Sequence, residues 1–130
     1  MSNPKEVAGH RAAAFVVAGT VVGLGTGSTA EFAIRAIGDR VAAGLHIAAI
    51  PTSEASAALG ERVGLDIQSF EDNPVIDLTI DGADEVDPDL NLIKGLGGAL
   101  LREKIVAAAS TREIIIVDPG KLVDRLGTRA

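Results

Sequence analysis

Apolar positions along this chain alternate between two rhythms. Val7, Ala8, Ala12, Phe15 and Val16 recur at helical spacing behind a Ser2 or Asn3 cap and a Pro4 in the first helical position, which predicts a helix that Gly19 stops. Val21-Val22-Gly23-Leu24 is a short, continuous apolar run and predicts a buried strand, followed by a helix from about Ala30 to Val41. The alternation then repeats. A strand over Ile47 to Ile50 leads into Pro51-Thr52-Ser53-Glu54, a turn and cap opening a helix that Gly64 ends, and Asp66-Ile67-Gln68 reads as a short edge strand. Val75 to Ile80 is strand-like, Ala99 to Ala109 helical, and the β-branched run Ile114-Ile115-Ile116-Val117 has the character of a strand buried on both faces of a parallel sheet. Strands alternating with helices predict an α/β fold, an open, mostly parallel Rossmann-like sheet with helices on both faces.

Composition narrows the possible roles. With 130 residues and 47% hydrophobic, the chain reads as a single domain over 1–130 with enough apolar content for a core. A net charge of −6 without a Lys/Arg cluster argues against a nucleic-acid partner, and three Phe with no Trp or Tyr provide no base-stacking platform. The lack of cysteine rules out disulfides, thiolate metal sites and a thiol nucleophile. Met-Ser-Asn-Pro-Lys-Glu is not a basic segment leading into an apolar run, and no stretch approaches the roughly 18 apolar residues of a membrane span. The expectation is a soluble, cytoplasmic protein with no membrane partner.

The unusual chemistry is concentrated between Asp81 and Lys104. Asp81 and Asp84 flank the small pair Gly82-Ala83 at the end of a predicted strand, where ligands of α/β folds bind. Lys94 precedes Gly95, Leu96, Gly97 and Gly98, so a cation stands beside a flexible backbone leading into a helix N-terminus, which favours anions. Glu103 has Ala99, Leu100, Val106 and Ala107 as its helical neighbours and no in-helix cation. A carboxyl in such a setting has a raised pKa, suited to a general base, although the helix dipole alone also favours a first-turn glutamate.

Earlier in the chain, Gly25-Thr26-Gly27-Ser28-Thr29 joins a strand to a helix and can cradle a phosphate, with Ser28 and Thr29 donating hydroxyl bonds as well as capping. A dinucleotide fingerprint fails because Ser28 stands at its sixth position, and a P-loop fails for want of its lysine. Lys121 falls at another strand tip on the same side, and Ser53 could line the cleft as well as cap its helix. Asp87-x-Asp89-x-Asn91 opens like a calcium loop, but Leu92 replaces the required Gly and Gly98 the bidentate Glu, so no metal is expected. Glu85, Asp87 and Asp89 then read as solvated loop charges. His10 and His46 carry no partner pattern and read as packing or surface residues.

Asp-Gly-Ala-Asp-Glu at 81–85, Lys-Gly-Leu-Gly-Gly-Ala-Leu-Leu-Arg-Glu-Lys at 94–104 and Gly-Thr-Gly-Ser-Thr at 25–29 closely resemble, in order and separation, the signature blocks of type A ribose-5-phosphate isomerases. The resemblance implies an isomerase/CoA-transferase-like fold and interconversion of ribose 5-phosphate and ribulose 5-phosphate in the pentose phosphate pathway, without metal or cofactor. Carried over, it makes Glu103 the base that moves the proton between C1 and C2. Asp81 and Asp84 would bind and polarise sugar hydroxyls, and Lys94 would offset enediolate charge. Thr26, Gly27, Ser28, Thr29, Gly82, Ala83, Gly95, Leu96, Gly97 and Lys121 would complete the substrate contacts. The resemblance also implies a homo-oligomer, dimer or tetramer, and a second α+β portion that members of the family carry beyond the position of Leu126 and that is expected to be absent here. The alternative is a non-catalytic phosphosugar-sensing module on the same fold, which should lack the full set of Asp81, Asp84, Lys94 and Glu103.

Overall fold

The computed structural model describes residues 3–90, 92–94 and 100–127. Helix α1 (Pro4–Ala13) starts where expected, with the Asn3 carboxamide accepting the Lys5 N–H at 2.9 Å. It ends well before Gly19. The Arg40 guanidinium donates to the carbonyls of Ala13 and Val16 at 2.8 and 2.7 Å, so the last turn is closed by a neighbouring helix instead of being continued. Val16 is buried beyond that end, whereas Val7 and Phe15 lie on the surface, Phe15 beneath the Arg112 guanidinium at 5.0 Å.

Strand β1 (Val21–Leu24), helix α2 (Ser28–Ala42), strand β2 (Ala48–Pro51), helix α3 (Glu54–Arg62) and strand β3 (Asp66–Ile67) follow the predicted alternation within a residue or two. Ser53 caps α3 in a reciprocal box with Ser56. Strand β4 (Ile76–Gly82) runs two residues further than expected and takes Asp81 into the sheet. Beyond it come β5 (Glu85–Val86), β6 (Leu92–Ile93), α4 (Leu100–Ala108), β7 (Ser110–Ile116) and a 3₁₀ turn over Pro119–Lys121. No helix among the described residues is long and apolar enough to cross a membrane.

The main sheet has the order β3-β2-β1-β4-β7, with every pairing parallel. From β1 the chain moves outward to β2 and β3, then returns to lay β4 on the other side of β1. The carboxyl ends of β1 and β4 therefore flank the crevice at which the strand order reverses. Val22, Leu24, Ile34, Ile37, Ala49, Leu78 and Ile80 form the main core, and Ile50, Ile76 and Val106 pack the second face. Each large aliphatic buried in this way stabilises the fold by about 1.5–3 kcal/mol.

Two expectations are corrected. β7 lies at the sheet edge among the described strands, with Thr111, Arg112 and Glu113 exposed and only Ile116 fully buried, so its apolar run does not mark a strand covered on both faces. The segment after Asp84 is not a plain solvated loop either. β5 pairs antiparallel with β6, and Val86 bridges to Leu122. Glu85 is 0% exposed and accepts the Gly127 N–H at 2.7 Å, because its carboxylate fastens the segment that follows Lys121. Asp89 is exposed, as expected.

Candidate active site

At the end of β1 the backbone turns within reach of β4. The Gly25 N–H donates to the Ile80 carbonyl at 2.8 Å, and a Cβ on Gly25 would collide with Asp81 and that carbonyl. Gly27 then adopts φ 108, a conformation side chains rarely tolerate, and α2 begins directly at Ser28 with no side-chain cap. Ser28 and Thr29 are therefore first-turn residues and not caps. The uncapped first turn presents backbone N–H groups to the crevice. Thr26 is the pin between elements: its N–H donates to Asp81 Oδ1 at 3.2 Å, and its hydroxyl lies 2.9 Å from both Thr52 Oγ1 and Ser53 Oγ. Thr52, fully buried, donates its hydroxyl to the Leu24 carbonyl at 2.7 Å.

The opposite wall carries charge. Asp81 is 1% exposed, with Oδ1 accepting the N–H groups of Thr26 and Gly82 and Oδ2 accepting Lys94 Nζ at 2.7 Å. Lys94 Nζ also lies 3.9 Å from Glu103 Oε2 and 3.4 Å from Glu113 Oε1. Burial works against the Lys94 charge, but its hydrogen bond to Asp81 and the pull of Asp81, Glu113 and Glu103 outweigh it, so its pKa is raised. Glu103 moves further from its ordinary range. Burial first, then a hydrogen bond to Asp81 and the charges of Asp81 and Asp84, push it up to about 8 against the opposing pull of Lys94. Both Asp81 oxygens already accept N–H bonds, so Glu103 is the group placed to donate in the hydrogen bond between the two carboxyls.

Thr26, Gly27, Ser28, Thr29, Gly82, Ala83, Asp84, Lys94, Glu103 and Lys121 line one cleft at the crevice. Asp81 lies beneath it and reaches it through Lys94. Asp84 is oriented by its N–H, which donates to the Ile93 carbonyl at 2.7 Å and ties the β4–β5 connection to β6 next to Lys94. Gly95, Leu96 and Gly97 lie outside the described residues. Ser53 does not line the cleft and supports Thr26 instead. His10 is exposed near Glu6, at 3.7 Å.

Sequence reasoning missed Lys5, which leaves α1 to donate to Ser28 Oγ at 2.8 Å and pair with Asp118 at 3.6 Å. No spacing rule links residue 5 to residue 28, and only the packing of α1 on α2 brings them together. Glu113 was missed for a similar reason, since it sits in a strand run whose apolar residues dominate the pattern.

A family model described as ribose 5-phosphate isomerase A (phosphoriboisomerase A) matches residues 48–130. A protein of Parvibaculum lavamentivorans named ribose-5-phosphate isomerase A is 54% identical over 124 residues, covering 95% of this chain and 54% of its own length. Among solved structures, ribose 5-phosphate isomerase A from Methanocaldococcus jannaschii superposes with a TM-score of 0.91 at 37% identity, covering 96% of this chain and 56% of that one. A D-ribose-5-phosphate isomerase in complex with phospho-erythronic acid gives 0.93 at 41%, with the same coverages. The chain spans about half the length of the curated relatives it matches.

Proposed function

The chain belongs to the ribose 5-phosphate isomerase A family, and from that premise we propose that it interconverts ribose 5-phosphate and ribulose 5-phosphate through an enediolate. The observation that carries this reading is Lys94, whose ammonium joins Asp81 and Glu103 at the edge of a cleft whose other wall is an uncapped helix N-terminus. A proton donor, a proton acceptor and an anion cradle are the three things the reaction requires.

In this reading the substrate phosphate rests on the first turn of α2, held by backbone N–H groups and the hydroxyls of Ser28 and Thr29, with Lys5 and Lys121 supplying positive charge nearby. Asp84 accepts sugar hydroxyls and helps open the ring. In the open-chain aldose, the ionised Glu103 carboxylate takes the proton from C2, the electron pair forms the C1–C2 double bond, and negative charge develops on the former carbonyl oxygen. The Lys94 ammonium stabilises that oxygen. The C2 hydroxyl then gives up its proton as the C2 carbonyl forms, a proton is taken up on the C1 oxygen, and Glu103 returns its proton to C1, which completes the ketose with no net change in protons or in the enzyme. With its pKa raised to about 8, Glu103 is mostly protonated at neutral pH, and the ionised fraction is the one that reacts.

Phospho-erythronic acid, present in a related structure, is a phosphorylated four-carbon acid whose planar carboxylate resembles the two oxygens of the enediolate. It should therefore compete with ribose 5-phosphate for this cleft. The deciding experiment is a coupled isomerase assay on the purified chain. Turnover inhibited competitively by phospho-erythronic acid supports the reading. Binding of ribose 5-phosphate with no turnover would replace it with a phosphosugar-binding role. A cytoplasmic homo-oligomer belongs to the same proposal, and sedimentation of the pure protein tests the assembly.

A further inference from the structure

Lys94 is held by more carboxylates than the reaction needs. Asp81 from β4 lies 2.7 Å from its Nζ, Glu103 from α4 3.9 Å, and Glu113 from β7 3.4 Å. Glu113 is not among the residues lining the cleft. It stands in an adjoining cavity that shares Lys94 and Glu103 with the cleft and adds Lys104. We propose that Glu113 is a positioning residue for Lys94, fixing the ammonium from behind so that its remaining N–H faces Glu103 and the reacting oxygens. This rests on the isomerase reading above.

The argument is geometric. An ammonium has three N–H donors in fixed tetrahedral directions at the end of a flexible four-carbon stem. One anchor, Asp81, leaves the group free to spin and the stem free to change rotamer. A second anchor in a different direction removes that freedom and sets the third donor. The pair is shielded on its Lys94 side, where the side chain is 15% exposed, while Glu113 stays open to solvent at 30%, so screening weakens the contact without removing its directional effect. Among the described residues, the charged groups around Lys94 are Asp81, Glu103 and Glu113, with Lys104 in the adjoining cavity, Asp84 acting on Glu103, and Lys121 across the cleft. Asp81 holds Lys94 from beneath the cleft and Glu113 holds it from the adjoining cavity, so the two anchors come from different strands.

The test combines Glu113→Gln and Glu113→Ala with two readouts: NMR titration of Lys94 Cε in lysine-labelled protein, and the pH profile of kcat and kcat/KM for ribose 5-phosphate. Removing the Glu113 charge should lower the Lys94 midpoint in both variants and move the acidic limb of kcat/KM to lower pH, because a negative charge beside the Lys94–Glu103 pair is gone. Glu113→Ala should lose about three- to tenfold in kcat with KM nearly unchanged, the scale of one lost orienting contact. Glu113→Gln keeps an acceptor oxygen and should retain most of kcat. An unchanged Lys94 midpoint would show that the two groups do not meet. A lowered midpoint with wild-type kcat and pH profile in both variants would reduce Glu113 to a structural ion pair and overturn the role. If the wild-type chain has no isomerase activity, the role falls together with the functional reading, and a Lys94 midpoint that still drops identifies that reading as what failed.

Discussion

The two walls of the cleft solve different problems with different materials. The wall built by residues 26–29 and braced from behind by Thr52, Ser53 and Ser56 is neutral: its polar groups are backbone N–H and hydroxyls, and Thr52, Ser56 and Thr29 are all buried. Its hydrogen bonds are short and mutually supporting, from Thr52 to Leu24, Thr26 to Thr52 and Ser53 to Ser56. The wall built by Asp81, Lys94 and Glu103 is charged, and it holds Glu103 protonated at a pH where water would ionise it. The difference separates binding from chemistry. A preformed array of dipoles binds a dianion without changing between ground and transition states, whereas proton transfer needs groups whose charge can change cheaply near neutral pH.

Glu103→Gln strikes the charged wall alone and carries the largest expected effect. The amide keeps the shape but cannot accept the C2 proton, so kcat should fall on the order of 10²–10⁴-fold while binding of ribose 5-phosphate stays near normal. Exchange of the substrate C2 hydrogen with deuterated solvent is the measurement. Wild-type exchange in the Gln variant would move the base elsewhere, most directly to Asp81.

The next effect is pH dependence. With the Glu103 pKa raised to about 8, the free enzyme holds the active carboxylate as a minority at pH 7, so kcat/KM should climb about tenfold per unit below that value and level off above it. Stability moves the opposite way. A glutamate whose folded pKa exceeds its unfolded value binds more protons when folded, so its contribution is full at or below the ordinary glutamate pKa and is lost as pH rises through about 8. Glu103→Gln should erase that slope, which paired thermal melts at pH 5 and pH 8.5 will show. A kcat/KM profile already flat from pH 6 would mean that Glu103 is not held as an acid.

Both walls were legible in the sequence to different depths. Gly25-Thr26-Gly27-Ser28-Thr29 announces itself because the physics is local: a tight turn, a helix start and small polar residues occupy five consecutive positions. The DGADE and Lys94–Glu103 blocks are nearly as plain, since strand end, lysine and helix glutamate follow in order. What escaped depends on contacts across the sheet. Lys5 meets Ser28 only because α1 packs on α2, and Glu113 meets Lys94 only because β7 lies next to β4. Glu85 looked like one of several loop acids, and nothing local distinguishes a carboxylate that will accept a backbone N–H forty-two residues away. Phe15 and Val7 failed in the other direction, since helical spacing identified a face but not where Arg40 would close the helix.

Ser28→Ala probes the neutral wall with a smaller effect. It removes one hydroxyl from the cradle and the acceptor of the Lys5 bond, while the backbone N–H groups remain. KM should rise about three- to tenfold, equivalent to ~1 kcal/mol for one hydrogen bond, with kcat unchanged because the phosphate does not alter its charge during the reaction. A loss confined to kcat would place Ser28 in the chemistry and undo the division between the walls.

Thr52→Val is the finest test, and its expected effect is the smallest. Thr52 is 0% exposed, and valine matches its shape, so the change removes a hydroxyl without leaving a cavity. The Leu24 carbonyl, which accepts the Thr52 hydroxyl at 2.7 Å, still accepts the Thr52 N–H at 3.1 Å, and the Thr26 hydroxyl still has Ser53 at 2.9 Å. No buried polar group is stranded, so the stability cost should be about 1 kcal/mol and not the larger penalty of an unpaired group. If the neutral wall is preformed and redundant, Thr26 keeps its place and KM changes by less than about twofold, within ~0.4 kcal/mol. A much larger rise in KM at normal stability would mean that Thr52 alone holds Thr26 against Asp81. Through the Thr26 N–H on Asp81 Oδ1, that would couple the neutral wall directly to the charged one.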